Sequence, residues 1–175
     1  MEIRGKKIIL RPIKMTDAPR FVKWLSDPEV NQFTTRKSVT LKEEKQWIRG
    51  HVKTRKTELH FAVDTLDGVH IGTIALFLDL RDKNARFGIL IGDKNYWNRG
   101  YGTDAARTII NYGFKTLKLH RIYLQVYETN PRAIKVYKRL GFRLEGRSRE
   151  HVLKNGKFRD TLHMGMLRKE WKIYR

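Results

Sequence analysis

The spacing of apolar residues predicts strands and helices along most of the chain. Apolar and polar residues alternate strictly over Arg121–Tyr127, which is typical of a strand with one buried face. The run from Ile71 to Leu80 is almost entirely apolar, as in a strand covered on both faces. The predicted strands are Lys7–Pro12, His60–Asp64, His70–Leu80, Ala85–Ile91, Arg121–Tyr127, Phe142–Leu153 and Phe158–Leu167.

Apolar residues at helical spacing, together with capping residues, predict four helices. Asp27-Pro28 is expected to end the first helix and Gly141 to end the last. The predicted helices are a segment opened by Thr16, a segment opened by the Thr40–Glu43 capping box, Gly100–Leu117 and Asn130–Leu140. Residues 1–175 are therefore expected to form a single α/β (α+β) domain, in which about four helices flank a central mixed, twisted sheet of about six or seven strands.

The composition narrows the classes of protein to which the chain can belong. Its 175 residues include no cysteine, which excludes disulfides, zinc thiolate sites and cysteine nucleophiles. The longest uninterrupted apolar run, Ile74–Leu78, is far too short to span a bilayer, and the N-terminus lacks an apolar signal segment. We therefore expect a cytoplasmic protein that makes no membrane contact.

The chain carries a large excess of positive charge. Its 38 lysines and arginines against 18 aspartates and glutamates give a net charge of +20. Such an excess favours an anionic partner, either a nucleic acid, a nucleotide-like cofactor or an acidic protein. Because no run of basic residues is longer than two or three, a solvated, highly charged surface explains the same composition.

The most informative stretch is Phe87–Thr103, FGILIGDKNYWNRGYGT, in which an apolar strand runs into a glycine-containing loop that opens a helix. Free N–H groups at a helix start bind phosphate, and Gly100 and Gly102 allow close approach of the backbone. Arg99 adds a positive charge. The alternative is a plain glycine turn, since the stretch matches neither the dinucleotide-binding fingerprint nor the P-loop.

A second stretch, Glu128–Phe142, reads ETNPRAIKVYKRLGF. A strand ends here, Asn130 can cap the following helix, and Tyr137 lies on the apolar stripe of that helix. A tyrosine in such a position is usually part of the core.

Together these stretches resemble the GNAT superfamily of acyl-CoA-dependent N-acetyltransferases. IILRPIKMTDAPRFVKWLSDPEV and NGKFRDTLHMGMLRKEW resemble the opening and the C-terminal hairpin of its ribosomal-protein N-terminal acetyltransferase branch. DKNYWNRGYGTDA resembles its pyrophosphate loop, and NPRAIKVYKRLGF is similar to its asparagine-containing helix. The spermidine N-acetyltransferases share much of this layout. One departure is Trp97, which stands where the wider superfamily has Gln or Arg.

The resemblance implies that acetyl-CoA lies between two splayed parallel strands, about Phe87–Gly92 and Arg121–Tyr127. The residues expected to contact it are Leu90, Ile91 and Gly92 along the pantetheine arm, Asn98, Arg99, Gly100, Tyr101, Gly102 and Thr103 at the pyrophosphate, Asn130 further along the arm and Tyr137 near the sulfur.

The chemistry expected from this resemblance is direct attack of a neutral amine on the thioester. A backbone N–H near Ile91 or Gly92 would stabilise the oxyanion, and Tyr137 would protonate the leaving thiolate as general acid. Glu128 is our candidate general base; Asp79, His60 and a chain of waters are the alternatives. The histidines show no metal-ligand spacing, so no metal is expected.

The acceptor amine is left open at three classes: a protein N-terminus, such as that of a ribosomal protein, a small amine or a polyamine. Eight basic residues against two acidic ones between Thr34 and Thr57 predict repulsion of a polycation. The alternative function is a basic RNA- or ribosome-binding module that stacks bases on Trp24, Trp47, Trp97 and Trp171. A homodimer and contact with nucleic acid are compatible with the sequence but not required.

Overall fold

The computed structural model describes residues 1–34, 36–53 and 57–172, apart from the side chains of residues 51–53. In this part of the chain, eight strands form one sheet. They are β1 (Ile3–Arg4), β2 (Ile8–Pro12), β3 (Glu58–Thr65), β4 (His70–Asp79), β5 (Asn84–Ile91), β6 (Arg121–Tyr127), β7 (Arg143–Lys154) and β8 (Lys157–Leu167). Their order across the sheet is β1-β2-β3-β4-β5-β6-β8-β7.

Five α-helices connect these strands in the described residues. They are α1 (Ala18–Ser26), α2 (Pro28–Asn31), α3 (Leu41–Lys53), α4 (Tyr101–Lys115) and α5 (Pro131–Arg139). None of the helices described is long and apolar enough to cross a membrane.

The predicted α/β class and single mixed sheet are confirmed, but both element counts were too low. β1 has only two residues, too few for a periodic pattern. Asp27-Pro28 ends α1 as expected and then starts α2, because Asp27 accepts a hydrogen bond from the Glu29 N–H at 2.9 Å and Pro28 suits a first helical turn.

The two faces of the sheet carry separate hydrophobic cores. One core packs α4 and α5 against the inner strands, with Ile109 and Phe114 fully buried. The other packs α1, α2 and α3 against the opposite face through Phe21, Trp24 and Ile48. Side chains alternate between faces along a strand, so Ile89 and Ile91 join the first core and Leu90 joins the second.

The β5–β6 pair differs from every other neighbouring pair in the sheet, because its strands are parallel. It is also short, with partners only from Asn84–Arg121 to Arg86–Tyr123. Beyond Arg86 and Tyr123 the two strands lie apart. We call this opening the fork.

A buried ionic network anchors the start of α1 to the sheet. The Arg11 guanidinium donates to both carboxylate oxygens of Asp17, at 2.8 and 2.9 Å, and to Asp64 at 2.6 Å. His70 lies against the same aspartate, with Nδ1 3.4 Å from Asp17 Oδ1. The His70 ring packs edge-on against Trp24 of α1 at 5.0 Å. The network thereby fixes α1 over the end of β5, where Trp24 occupies the space that a side chain at Gly92 would need.

Replacing Asp17 by Asn should destabilise the fold by about 3 kcal/mol, because it removes the carboxylate from a buried ion pair. Burial alone would raise the pKa of Asp17, but the hydrogen bonds from Arg11 and the Lys14 N–H outweigh it and lower that pKa. The contribution of Asp17 is therefore complete above about pH 4 and is lost as the pH falls through its folded-state pKa. Urea unfolding at several pH values should show the gap between wild type and variant narrowing below pH 4. Asp82→Asn, at an exposed turn, is the control and should change stability little.

Candidate active site

The backbone groups of β5 face alternately toward β4 and toward the fork. The Gly92 N–H donates to the Ile71 carbonyl at 2.9 Å, so the backbone groups of Gly92 point toward β4. This direction alternates along an antiparallel pair. The backbone N–H and C=O groups of Leu90 therefore also point toward β4, and those of Ile89 and Ile91 point into the fork.

The backbone groups of β6 alternate in the same way, between β8 and the fork. The Glu128 N–H donates to the Asp160 carbonyl at 3.1 Å, so the backbone groups of Glu128 point toward β8. The backbone groups of Gln125 and Tyr127 then point into the fork from its other side. Two strand edges therefore face each other without pairing to one another, and the Tyr127 carbonyl accepts from the Asn130 N–H at 2.9 Å instead.

A cleft of about 440 Å³ passes through the sheet at the fork. Its walls include Phe87 and Ile89 from the α4 side of the sheet and Gly88 and Leu90 from the α1–α3 side. Both faces of the sheet thus open into one continuous space.

The loop after β5 has the geometry of an anion site. Asn98 and Gly100 adopt left-handed backbone conformations, with φ of 59° and 83°. Gly100 is the N-cap of α4, and no side chain in the described part of the chain caps this helix start. The first helical hydrogen bond runs from the Asp104 N–H to the Gly100 carbonyl. The N–H groups of residues 101–103 come before that bond, so they can bind a phosphate at the positive end of the helix dipole.

Lys7 adds a positive charge to this loop. Its Nζ donates to the Arg99 carbonyl at 3.0 Å, and its backbone N–H donates to the buried Asp104 carboxylate at 2.8 Å. Lys7 and Arg99 are 92 positions apart in the chain, so no local pattern could have predicted this contact.

Trp97 joins the two sides of the fork at the loop end. Its indole N–H donates to the Ile91 carbonyl at 2.7 Å, and the Arg132 guanidinium lies 4.5 Å from the centre of its ring. Arg132 belongs to α5, which follows β6. The tryptophan that departs from the wider superfamily pattern therefore ties the end of β5 to the element beyond β6.

Tyr137 lines the cleft from α5. Its ring packs edge-on against Phe87 and Phe142, with centroid distances of 5.9 and 6.0 Å. Burial in this apolar setting raises the pKa of Tyr137 to about 12. The phenol therefore stays protonated at ordinary pH.

Comparison with known proteins identifies this architecture. The pattern of a family described as the acetyltransferase (GNAT) domain matches residues 7–143. A probable N-acetyltransferase of Bacillus subtilis, YjcK, is 30% identical over 94% of this chain and 96% of its own length. The chain belongs to the GNAT family. The predicted activity, an acetyl-CoA-dependent N-acetyltransferase, is confirmed at this level.

Two spermidine acetyltransferases are also similar to this GNAT chain. The spermidine N(1)-acetyltransferase of Escherichia coli K12 is 34% identical over 62% of this chain and 58% of its own length. The fold resembles the crystal structure of Vibrio cholerae spermidine N-acetyltransferase in complex with CoA and spermine, with a TM-score of 0.87, 24% identity and coverage of 93% and 96% of the two chains.

The residues of this acetyltransferase fit the chemistry of acetyl-CoA. A diphosphate suits the uncapped start of α4 beside Lys7, and an extended arm of amides suits the outward peptide groups of Ile89 and Ile91. A Cβ at Gly102 would approach Ile91 Cγ1 to 3.3 Å, which shows how closely the helix start and the strand end lie together.

The structure brings most of the predicted cofactor contacts into one cleft. Those lining it are Leu90, Ile91, Asn98, Gly100, Gly102, Thr103, Asn130 and Tyr137. Gly92, Arg99 and Tyr101 lie beside it in the same segment. Asn130 also caps α5, accepting a hydrogen bond from the Ala133 N–H at 3.1 Å, so its Oδ1 has a structural role.

The candidate general bases occupy different places. Glu128 lies beside the cleft, where it accepts from Arg147 at 2.8 Å and from the Asp160 N–H at 3.3 Å. Asp79 accepts turn N–H groups at the far end of β4. His60 lines the cleft, with Nε2 3.0 Å from a Glu58 carboxylate oxygen. Of the three, His60 therefore lies where an incoming amine could reach it.

The tryptophans invoked for a nucleic-acid module have other uses. Trp24 is 5% exposed, and the Trp171 indole donates to Asn111 at 2.8 Å. Trp47 and Trp97 line the cleft. The comparisons give no support to a non-catalytic binding module.

Gly100→Val should weaken acetyl-CoA binding by about tenfold or more while the protein stays folded. A β-branched residue resists the left-handed conformation of Gly100, which aims the N–H groups of residues 101–103. Calorimetric titration with acetyl-CoA measures the change.

Gly68→Val is the matched control for this experiment. Gly68 has nearly the same φ, 86°, but lies in the β3–β4 turn with nothing within 4 Å of an added Cβ. It should cost similar stability and leave acetyl-CoA affinity unchanged. Equal affinities in folded Gly100→Val and wild type would exclude this loop as the phosphate site.

Proposed function

We propose that acetyl-CoA enters the fork from the α4 side and that a primary amine reaches it from the α1–α3 side, with direct acetyl transfer and no covalent enzyme intermediate. The observation that carries this proposal is the cleft that runs through the sheet between residues of both faces. Acetyl-CoA supplies the activated acetyl thioester. The protein has to position both molecules, stabilise charge and move protons.

We assign the Ile91 N–H as the hydrogen-bond donor that stabilises the negative charge on the thioester carbonyl oxygen in the fork. The Gly92 N–H is already given to Ile71, which leaves Ile91 from the predicted pair. The Trp97 indole holds the Ile91 carbonyl and so helps to fix the strand end, and a fixed donor costs no reorganisation when charge develops.

Tyr137 holds the proton that we assign to the departing sulfur. Its hydroxyl has no hydrogen-bond partner among the described residues, and its pKa of about 12 keeps the proton in place until a negative charge develops nearby. His60, or a water that it holds, is the group we assign to removing the proton of the amine. Glu128 is held by Arg147 and is the weaker candidate.

Tyr137→Phe should lower kcat by about a hundredfold or more and leave acetyl-CoA affinity nearly unchanged, because the ring packing remains and only the proton donor is lost. Thiol release under saturating acetyl-CoA measures kcat. Tyr112→Phe, a half-buried tyrosine of α4 whose pKa burial also raises, is the matched control and should keep normal turnover. A folded Tyr137→Phe enzyme within about threefold of wild type, with chemistry rate-limiting, would reduce Tyr137 to a packing role.

The charges in the cleft favour a neutral or acidic acceptor. Glu29 is the one carboxylate that lines the described part of the cleft, and Lys94 holds it at 2.9 Å. Lys42 and Arg49 are exposed on α3 and do not line the cleft. Arg55 and Lys56, and the side chain of Lys53, lie outside the described residues. Arg36 does line the cleft, but the buried Glu44 accepts from it at 2.6 Å, so the positive charges left without a carboxylate partner in the described cleft are those of Arg86 and Arg132.

Spermidine should be a poorer substrate than the best neutral or acidic amine, although some relatives are spermidine acetyltransferases. A polyamine has further cationic centres that need carboxylates, and the described cleft offers only the paired Glu29. Initial rates of thiol release across a panel of amino acids, aminosugars, N-terminal peptides and polyamines decide the matter. Fastest turnover with spermidine would contradict this assignment.

A protein N-terminus and a small amine both remain acceptor classes within this proposal. A ribosomal partner, a homodimer, a cytoplasmic location and a single domain over residues 1–175 remain predictions. A reaction without a metal also remains a prediction. In the described residues, no group of three or more His, Asp or Glu side chains could hold a metal ion.

A further inference from the structure

Arg86 is a cation in the cleft that the proposed chemistry does not use. It lies on β5 at the last residue pair before the fork opens, opposite Tyr123. Its side chain is half-buried, lines the cleft and has no carboxylate partner among the described residues.

The guanidinium of Arg86 is held by an aromatic ring. It lies 4.0 Å from the centre of the Phe77 ring, its cross-strand neighbour on β4. Contact with a ring covers one face of a guanidinium, while its N–H donors lie in its plane and remain available. A planar guanidinium whose N–H donors are held in this way matches a carboxylate, which accepts two parallel hydrogen bonds.

Two of the other charged side chains of the cleft already have oppositely charged partners, and a third lies at the loop end. Arg36 donates to the fully buried Glu44 at 2.6 Å, and Glu29 accepts from Lys94 at 2.9 Å. Arg132 lies on the Trp97 ring at the loop end, where the phosphates are expected. Arg86 is therefore the charge in the described cleft that is left for an anionic group of the acceptor.

The floor beside Arg86 leaves room for a small molecule. Ala75 and Gly88 are partners in the β4–β5 register and lie on the same face as Arg86. A Cβ at Gly88 would meet only Phe77, at 3.9 Å, within a 4 Å radius. Arg86 precedes Ile91, whose N–H we assign to the reacting carbonyl oxygen, by five strand residues, roughly 17 Å. The long arginine side chain and a compact substrate can span that distance together.

We propose that Arg86 binds the carboxylate of the acceptor, so that the substrates of this enzyme are compact amines of the amino-acid type. This inference rests on the proposed function and adds the substrate class. Arg86 is then a specificity-determining residue, and its loss should raise the KM for the acceptor and leave acetyl-CoA binding intact.

The test compares free amino acids with their carboxamides, which keep the amine and the side chain but lose the anionic group. Rates are corrected for the fraction of neutral amine, since the two amines differ in pKa. Wild type should prefer the carboxylate in kcat/KM by about tenfold or more, as expected for hydrogen bonds between charged groups. Arg86→Gln should abolish this preference. Arg86→Lys should keep only part of it, because lysine lacks the planar pair of N–H donors.

Arg81→Gln is the matched control, since Arg81 is almost fully exposed in the β4–β5 turn and, among the described residues, forms an ion pair with its neighbour Asp82 alone. It should leave the preference unchanged. Equal kcat/KM for carboxylates and carboxamides in wild type, or a preference that survives in Arg86→Gln, would overturn the role of Arg86 while acetyl transfer itself stands. A stronger preference for an aminoalkyl phosphate would overturn the assignment to a carboxylate. Failure to bind acetyl-CoA or to acetylate any amine would overturn the proposed function as well.

Discussion

The early end of hydrogen bonding between β5 and β6 is the feature on which the site depends. A sheet normally satisfies its peptide groups strand by strand, and buried unpaired groups are costly. Here two neighbouring strands separate after three pairs. The peptide groups of Ile89 and Gln125 and the N–H groups of Ile91 and Tyr127 are then left facing the fork, while Trp97 and Asn130 hold the carbonyls of Ile91 and Tyr127. An extended ligand with amide groups can satisfy them. The same separation connects the two faces of the sheet, which lets donor and acceptor meet inside it.

The surrounding structure keeps the fork fixed in shape. At its open end, Trp97 links the Ile91 carbonyl to Arg132 of α5. On the α1 side, the buried Arg11–Asp17 pair and His70 hold Trp24 against Gly92. Pre-positioned donors of this kind are more effective than mobile ones, because no free energy is spent on ordering them when charge develops. Most of the residues that shape the site are therefore far from it in sequence.

How much the sequence could predict depends on whether a feature is local. The phosphate loop was predictable, because Gly100 and Gly102 stand between an apolar strand and an amphipathic helix. Lys7 and Arg132 were not, since their contacts come from tertiary packing across the sheet. The choice among Leu90, Ile91 and Gly92 was also beyond the sequence, because it depends on the β4–β5 register, which aims only Ile91 into the fork. Short elements such as β1 and α2 carry too few residues to show a period.

If acetyl-CoA completes the hydrogen bonding of the fork, residue-resolved amide hydrogen exchange should show it. Binding of acetyl-CoA should slow exchange at Ile89 and Ile91 and in residues 101–103. Leu90 and Gly92, whose N–H groups β4 already holds, should change little. Slowed exchange at every second residue of β5 is the pattern expected when a ligand pairs with the fork side of the strand. Unchanged exchange at Ile89 and Ile91 with saturating acetyl-CoA, or uniform protection along β5, would show that acetyl-CoA does not pair with the fork side of this strand.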